Sequence, residues 1–413
     1  MSEAMPRPGR KNPLARTRTP TAPQGTRSRT ADHLLAAAAE GRFALQVCDA
    51  CGQVAYPPRD ACPACLSGGF TVRDVDPAGT LLAETTIRLP SDVHFRERAP
   101  WRTGIVELDA GPIVVAHLHG DLAEGGQTRL ALMIDRSGAP VMAALPAKET
   151  PNMADDPMLR ELTCDPKYRR ALVTDGRHPI GQAVAKALAA AGADIVFVGI
   201  PSPWKPFPGE EALRTIAGVE IVPLDVTDSE SVEEWAKQDG QRVDILVNTA
   251  EHIRPGGMVD RHGVTVAREE LEVRYLGLMR LAQAFGPVMR ARGADGARSA
   301  TAFVSILSVY ALTNWPAYGA TSAVDAACLS ATQSLRAELA PGGIRVMNVF
   351  TGPTDTEWYQ TVPPPKVSPA ALARALVDGL KRGLEDVYVG DVAADIRDRF
   401  RDDPKALERE LGR

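Results

Sequence analysis

From Arg170 onward the chain alternates short β-branched runs with stretches of helical length, a pattern that few folds accommodate. The runs fall at residues 170–173, 194–198, 219–225, 243–248, 302–308 and 344–349, with one more at 386–390. Such an order suits a parallel sheet covered by helices on both faces. The expected fold of residues 167–413 is therefore an α/β doubly wound parallel sheet, Rossmann-like.

Within that frame, Tyr318-Gly319-Ala320-Thr321-Ser322 follows the run ending at Ser308 and opens an Ala-rich helical stretch that continues to about Leu339. The layout resembles the short-chain dehydrogenase/reductase family. That family pairs its catalytic tyrosine with a lysine one helical turn later. Positions i and i+4 share a helix face, so the ammonium lowers the tyrosine pKa. Ser322 stands at the lysine position here and carries no charge. An unassisted phenol, with a pKa of ~10, is a weak acid or base at neutral pH yet a good hydrogen-bond donor. The resemblance makes Tyr318 the proton donor and Ser308 the hydroxyl that polarises a carbonyl, with Ser305 at the customary interval from the tyrosine; without the lysine, both roles are expected to be vestigial.

The family's nucleotide loop reads Thr-Gly-x-x-x-Gly-Ile-Gly, where glycines let the backbone approach a pyrophosphate. Asp175 and Pro179 occupy two of the glycine positions, whereas Thr174, Gly176, Ile180 and Gly181 remain as candidate NAD(P) contacts. A carboxylate ~4 Å from a phosphate charge costs about 1 kcal/mol in water and about 4 kcal/mol in a partly shielded site. Pro179 supplies no N–H. After the second strand run, Gly199-Ile200-Pro201-Ser202-Pro203 offers neither the acid nor the base that selects between the two dinucleotides, and Lys205 is the nearest cation. Asp225 matches the family's adenine-contacting position, and Asn248-Thr249-Ala250-Glu251 keeps Asn248 but loses the final glycine of Asn-Asn-Ala-Gly. Arg274 stands where relatives place an active-site asparagine. Its guanidinium is either a substitute cation beside Tyr318 or an ordinary surface arginine.

The N-terminal half carries Cys48-x-x-Cys51 and Cys62-x-x-Cys65, a spacing suited to one tetrahedral Zn²⁺ held by four thiolates. Four protein ligands leave no open coordination position, so the expected metal is structural. Disulfide pairing is the alternative, disfavoured by the absence of a secretory signal. A helical lead at 32–41 precedes the cysteines, and strand-like segments at 79–86, 103–109 and 112–118 follow them. This half resembles the DUF35 family over about residues 31–146. The resemblance implies a helix and rubredoxin-like zinc ribbon (31–78) followed by a small OB-type β-barrel (79–146). It also implies a thiolase-like or other acyl-CoA enzyme as partner, with a CoA thioester as ligand. Arg88, Arg96, Arg98 and Arg102 would supply a patch for CoA phosphates, or else belong to a solvated loop. His117 and His119 share a strand face and are expected to pack, not to bind metal.

A net charge of −5 argues against a nucleic-acid surface, and no apolar run reaches membrane-spanning length. Residues 1–30 read as a disordered tail and 147–166 as a linker, in a cytoplasmic chain expected to form a homo- or hetero-oligomer. The functional expectation is an accessory subunit that docks a thiolase-type enzyme and helps bind acyl-CoA, with a degenerate reductase-like domain. The alternative is an NAD(P)H-dependent β-ketoacyl-CoA reductase in which Tyr318 donates the proton.

Overall fold

The computed structural model describes residues 32–96, 98–153, 155–292 and 299–412, so the tail expected at 1–30 lies outside the described residues. The chain forms two compact units, the first up to Asp165 and the second from Pro166 onward, apart from Lys381–Leu384.

In the first unit, helix α1 (Asp32–Ala39) leads into strands β1 (Ala44–Cys48), β2 (Val54–Ala55) and β3 (Phe70–Asp74), an antiparallel sheet of order β2-β1-β3. Strand β4 (Ala78–Ile87), helix α2 (Val93–Arg96) and strands β5 (Trp101–Leu108), β6 (Ile113–Leu118), β7 (Gln127–Ile134) and β8 (Pro140–Pro146) follow. The five strands close into a barrel of order β4-β5-β6-β8-β7, which leaves no free sheet edge. Leu34 of α1, Leu45 of β1 and Leu81, Val106, Leu118 and Met142 of the barrel share one buried cluster, so the ribbon and barrel have a common core. β7 and β8 escaped the sequence reading: β8 is Ala-rich, and the apolar stretch of β7 directly precedes a turn at Asp135–Gly138.

The described part of the segment expected as a linker belongs to the first unit as far as Asp165. Helix α3 (Pro157–Leu162) lies within it and buries Met158 and Leu162 against Trp101, Met133 and Ala143. Asp156 caps this helix by accepting from Met158 N and Leu159 N, while its other oxygen accepts from Gly120 N at 2.7 Å. An aspartate followed by proline at the first helical position is a start signal legible in the sequence.

The second unit runs β9 (Arg170–Val173), α4 (Pro179–Ala190), β10 (Ile195–Ile200), α5 (Glu210–Arg214), β11 (Val219–Pro223), α6 (Ser229–Gln238) and β12 (Ile245–Asn248). It continues with α7 (Thr265–Glu270), a π-helical segment Leu271–Leu276, α8 (Gly277–Ala291), β13 (Ala302–Ser308), α9 (Gly319–Leu339) and β14 (Arg345–Thr351). Helix α10 (Pro369–Arg382), strand β15 (Asp386–Val389) and helices α11 (Asp391–Asp402) and α12 (Pro404–Leu411) complete it. The strands form a parallel seven-stranded sheet of order β11-β10-β9-β12-β13-β14-β15. Strands β9, β12, β13 and β14 are buried almost throughout because helices cover both faces. Strand order reverses between β9 and β12, and the crevice beyond their C-terminal ends is where such sheets place ligands. Thr174 and Asn248 stand at that switch point.

Candidate functional site

The four cysteines converge. Cys48 ends β1, and two equivalent turns follow: Gly52 N donates to Cys48 O, and Leu66 N donates to Cys62 O, each at 2.9 Å. Gly52 and Leu66 both take left-handed backbone, at φ 75° and 61°. The turns bring the sulfurs together, with Cys48–Cys65 and Cys51–Cys62 Sγ separations of 3.6 Å and all four within 4.8 Å. A tetrahedron with Zn–S of ~2.3 Å has sulfur–sulfur edges of about 3.8 Å, so the donor set fits a structural zinc ion. Burial pushes the Cys48 thiol up, but the N–H groups of Cys51 and Ala50 outweigh it and bring the thiol down to about 7. Cys51 moves the other way: the Gln53 N–H lowers it, but its sulfur neighbours and burial outweigh that and push it up to about 12, so a metal binds these sulfurs by displacing their protons.

At the switch point, Thr174 Oγ1 donates to Asn248 Oδ1 at 2.9 Å and accepts from Thr249 N at 3.0 Å. Thr249 Oγ1 in turn accepts from Asp175 N and donates to Asp175 O. Ile180 and Gly181 are buried in the first turn of α4. A Cβ on Gly181 would meet Asp175 O at 1.8 Å, and one on Gly176 would meet Val198 Cγ1 at 2.1 Å. The loop thus keeps the tight backbone of its family. Asp175 is not the bare charge that the sequence suggests: it accepts from Arg177 N at 2.9 Å, Arg177 Nε at 3.1 Å and Arg177 Nη2 at 2.8 Å. That bond to Asp175 raises the Arg177 pKa against the opposing effect of burial. Asp225 accepts from Thr227 N and Oγ1.

The positions expected to be catalytic are deeply buried. Tyr318 is 2% exposed and stands immediately before α9, with Trp315 stacked on its ring at a centroid distance of 4.2 Å and Tyr359 tilted at 5.2 Å. Its hydroxyl donates to Trp358 O at 3.4 Å, a long and weak contact. Ser322 donates to Tyr318 O, turned back on its own helix. Ser308 Oγ accepts from Tyr310 N at 3.2 Å, capping a short turn, and Ser308 N donates to Asp325 Oδ2 at 2.8 Å. Ser305 Oγ is buried without a hydrogen-bond partner among the described residues.

Arg274 is neither a surface residue nor paired with Tyr318. It is 4% exposed and binds Asp325, with Nη2 to Oδ1 at 2.5 Å and Nε to Oδ1 at 2.8 Å. Glu251, at the lost glycine, places Oε1 3.8 Å from Arg274 Nη1. Two departures from the family pattern, Glu251 and Arg274, therefore meet Asp325 in one buried charge cluster. Burial pushes the Glu251 carboxyl up, Asp325 adds to the rise, and Arg274 only partly offsets it, leaving it at about 7. Burial also raises Asp325, opposed by Arg274 and by the Ser308 N–H. Arg274 stays charged because Asp325 and Glu251 together outweigh the cost of its burial. Glu270 Oε2 accepts from Thr321 Oγ1 at 3.1 Å, and its Oε1 accepts from Arg254 N.

Asp325, Glu270, Trp315, Trp358 and Tyr359 were missed from sequence. Asp325 lies seven residues after Tyr318, two helical turns on and so on the same face, which is the signal that could have found it.

Three of the four arginines expected to form a CoA-phosphate patch, Arg96, Arg98 and Arg102, have local partners. Arg98 binds Glu161 at 2.6 Å, Arg102 pairs with Glu84 and with the His119, Gly120 and Leu122 carbonyls, and Arg96 donates to Pro90 O and Ser91 O. His117 accepts from Trp101 Nε1 at 2.8 Å, and burial lowers its pKa to about 4. His119 lies fully buried between Asp121 N and Asn152 O. Among the described residues, the four cysteines are the only cluster spaced to hold a metal, and no helix is long and apolar enough to cross a membrane.

Three family models match. Residues 35–71 match the ChsH2 rubredoxin-like zinc ribbon domain, 72–141 the ChsH2 C-terminal OB-fold domain, and 176–393 the enoyl-(acyl carrier protein) reductase family. A short-chain dehydrogenase of Penicillium crustosum is 34% identical over 156 residues, 36% of this chain; the match spans about half (54%) of that relative. An uncharacterized oxidoreductase of Staphylococcus aureus is 28% identical over 51% of this chain and 90% of its own length. Among solved structures, a short-chain dehydrogenase from Burkholderia cenocepacia in complex with NADP superimposes with TM-score 0.53 and 32% identity, over 59% of this chain and 98% of that one. One from Streptomyces avermitilis gives TM-score 0.51 and 25% identity, over 60% and 97%. With the reductase model spanning more than half of its residues, the chain belongs to the enoyl-(acyl carrier protein) reductase family of short-chain dehydrogenase-like proteins, preceded by a ChsH2-type zinc ribbon and OB-fold domain.

Proposed function

We propose that the chain is a non-redox accessory protein: its zinc ribbon and barrel dock a thiolase-type enzyme and help hold an acyl-CoA thioester, while the reductase-like unit serves as architecture. The observation that carries this reading is the Arg274–Asp325–Glu251 cluster, which commits the buried Arg274 guanidinium to carboxylates instead of to Tyr318. The packing of Tyr318 among Trp315, Trp358 and Tyr359 supports it, since a general acid must reach a substrate atom. Docking is supported by exposed apolar side chains on adjacent barrel strands, where Ile105 pairs with Val115 and neighbours Leu82 and Ile113. Contiguous exposed apolar residues of this kind mark protein interaction surfaces.

The second reading, a β-ketoacyl-CoA reductase, is favoured by the intact Thr174–Asn248 pairing and by the close backbone approach kept at Gly176 and Gly181. The two are separated by assaying purified protein with NADPH and β-ketoacyl-CoA thioesters. No turnover is expected, and Tyr318→Phe should leave that background unchanged. Robust reduction abolished by Tyr318→Phe would sink the accessory role. Docking is checked by affinity purification from the native cell, in which a thiolase-type enzyme should co-purify with the unaltered chain. Ile105→Asp, which plants a charge in the centre of the apolar strip, should lose that partner at least ~10-fold without moving the melting temperature.

A further inference from the structure

We infer that Asp175 is a built-in occupant of the phosphate loop, so that this one side chain closes the α/β unit to NADP(H). The inference deepens the non-redox reading and rests on it only in part, because it concerns binding and not turnover.

The loop's backbone donors already have partners. Thr174 N donates to Val247 O at 3.1 Å and Gly176 N to Gly199 O at 2.9 Å. Asp175 N donates to Thr249 Oγ1 at 3.0 Å. Arg177 N donates to Asp175 Oδ1 at 2.9 Å, and the next residue but one, Pro179, has no N–H. Four consecutive backbone donors are thus spent within the protein. Arg177, the cation of this loop, is held by the same carboxylate through two further bonds. A phosphate arriving here would have to displace Asp175 from both the Arg177 N–H and its guanidinium. The carboxylate also has nowhere cheap to go, because it is buried and Glu251 lies close enough for Asp175 to raise the Glu251 pKa.

What surrounds Asp175 is still shaped for a dinucleotide. Gly181 presses its Cα side against Asp175 O, where a Cβ would come to 1.8 Å, and Thr174 keeps its bond to Asn248. The frame has been retained and its charge inverted at one position. Asp175 is not among the residues with left-handed backbone, so alanine and glycine both fit there.

The test is calorimetric titration of the full zinc-loaded chain with NADPH. Asp175→Gly and Asp175→Ala release the Arg177 N–H and guanidinium together, and both should bind NADPH at least ~10-fold more tightly than the unaltered protein. On the unaltered chain, millimolar NADPH should leave the melting temperature of the α/β unit in place, since only a ligand that binds the native state raises it. A melting temperature that climbs with NADPH overturns the inference even if neither variant folds. Two variants that melt like the unaltered chain and still fail to bind overturn it as well. Neither result touches the accessory role, which is judged by turnover: the Asp175→Gly variant should bind NADPH and still reduce nothing, because Ser322 supplies no cation to Tyr318.

Discussion

Cys62→Ser is expected to take the zinc content of the protein from one ion per chain to none and to unfold the ribbon sheet. Structural zinc binding in small domains contributes about 10–16 kcal/mol at neutral pH, and that binding energy is folding energy. The ribbon has little else to rely on: β2 is two residues long, and β3 is largely exposed. Cys62 itself is 0% exposed, so a serine hydroxyl would be buried at the point where a thiolate is needed. Loss should spread into the barrel, because Leu45 of β1 and Leu34 of α1 share its core. The second unit has its own buried cluster around Phe197, Phe285, Phe303 and Phe350 and should melt as before. Elemental analysis together with scanning calorimetry checks this: the metal and one transition disappear while the other stays. Full zinc retention in the serine variant would show that the four sulfurs do not act as one site. A strong chelator at neutral pH should reproduce the variant's behaviour in the unaltered chain.

How much of this was legible in the sequence depends on the range of the interactions. The parallel sheet was readable because each strand is a local apolar run, and the zinc site because two Cys-x-x-Cys turns each close within five residues. The barrel was half readable: β4, β5 and β6 announce themselves, whereas β8 is Ala-rich and takes its identity from pairing with β7. The charge cluster was not readable as a cluster. Glu251, Arg274 and Asp325 were visible only as separate oddities or not at all, since they lie on different elements, with Arg274 and Asp325 51 positions apart. Sequence inspection counts the charge of Asp175 but cannot see that Arg177, two residues later, folds back onto it. The Asp175 charge is therefore partly neutralised, and its cost to a phosphate lies in the donors it occupies.

Asp325→Ala and Glu251→Gln should shift stability in opposite directions, although both remove a carboxylate from the same cluster. Asp325 makes the close contacts to Arg274, so its removal leaves a guanidinium buried with one partner at 3.8 Å. Breaking a buried pair by deleting one member costs about 3–5 kcal/mol. It also frees the Ser308 N–H, which donates to Asp325 and is itself buried. Glu251 is different, because two carboxylates share one guanidinium and Glu251 holds the weaker claim. Its carboxyl is raised from 4.5 to about 7, chiefly by burial, so the native state binds a proton that the unfolded chain has released. Stability from this group is complete below pH ~4.5 and is lost as pH climbs through ~7. Glutamine keeps the shape and carries no charge, so Glu251→Gln should match the unaltered protein at pH ~4.5 and exceed it by on the order of 3 kcal/mol at pH 8. Denaturant unfolding of both variants across that range is the measurement. A Gln variant no more stable than the unaltered chain at pH 8 would mean that Glu251 is fully paired after all, and that the cluster carries no excess negative charge.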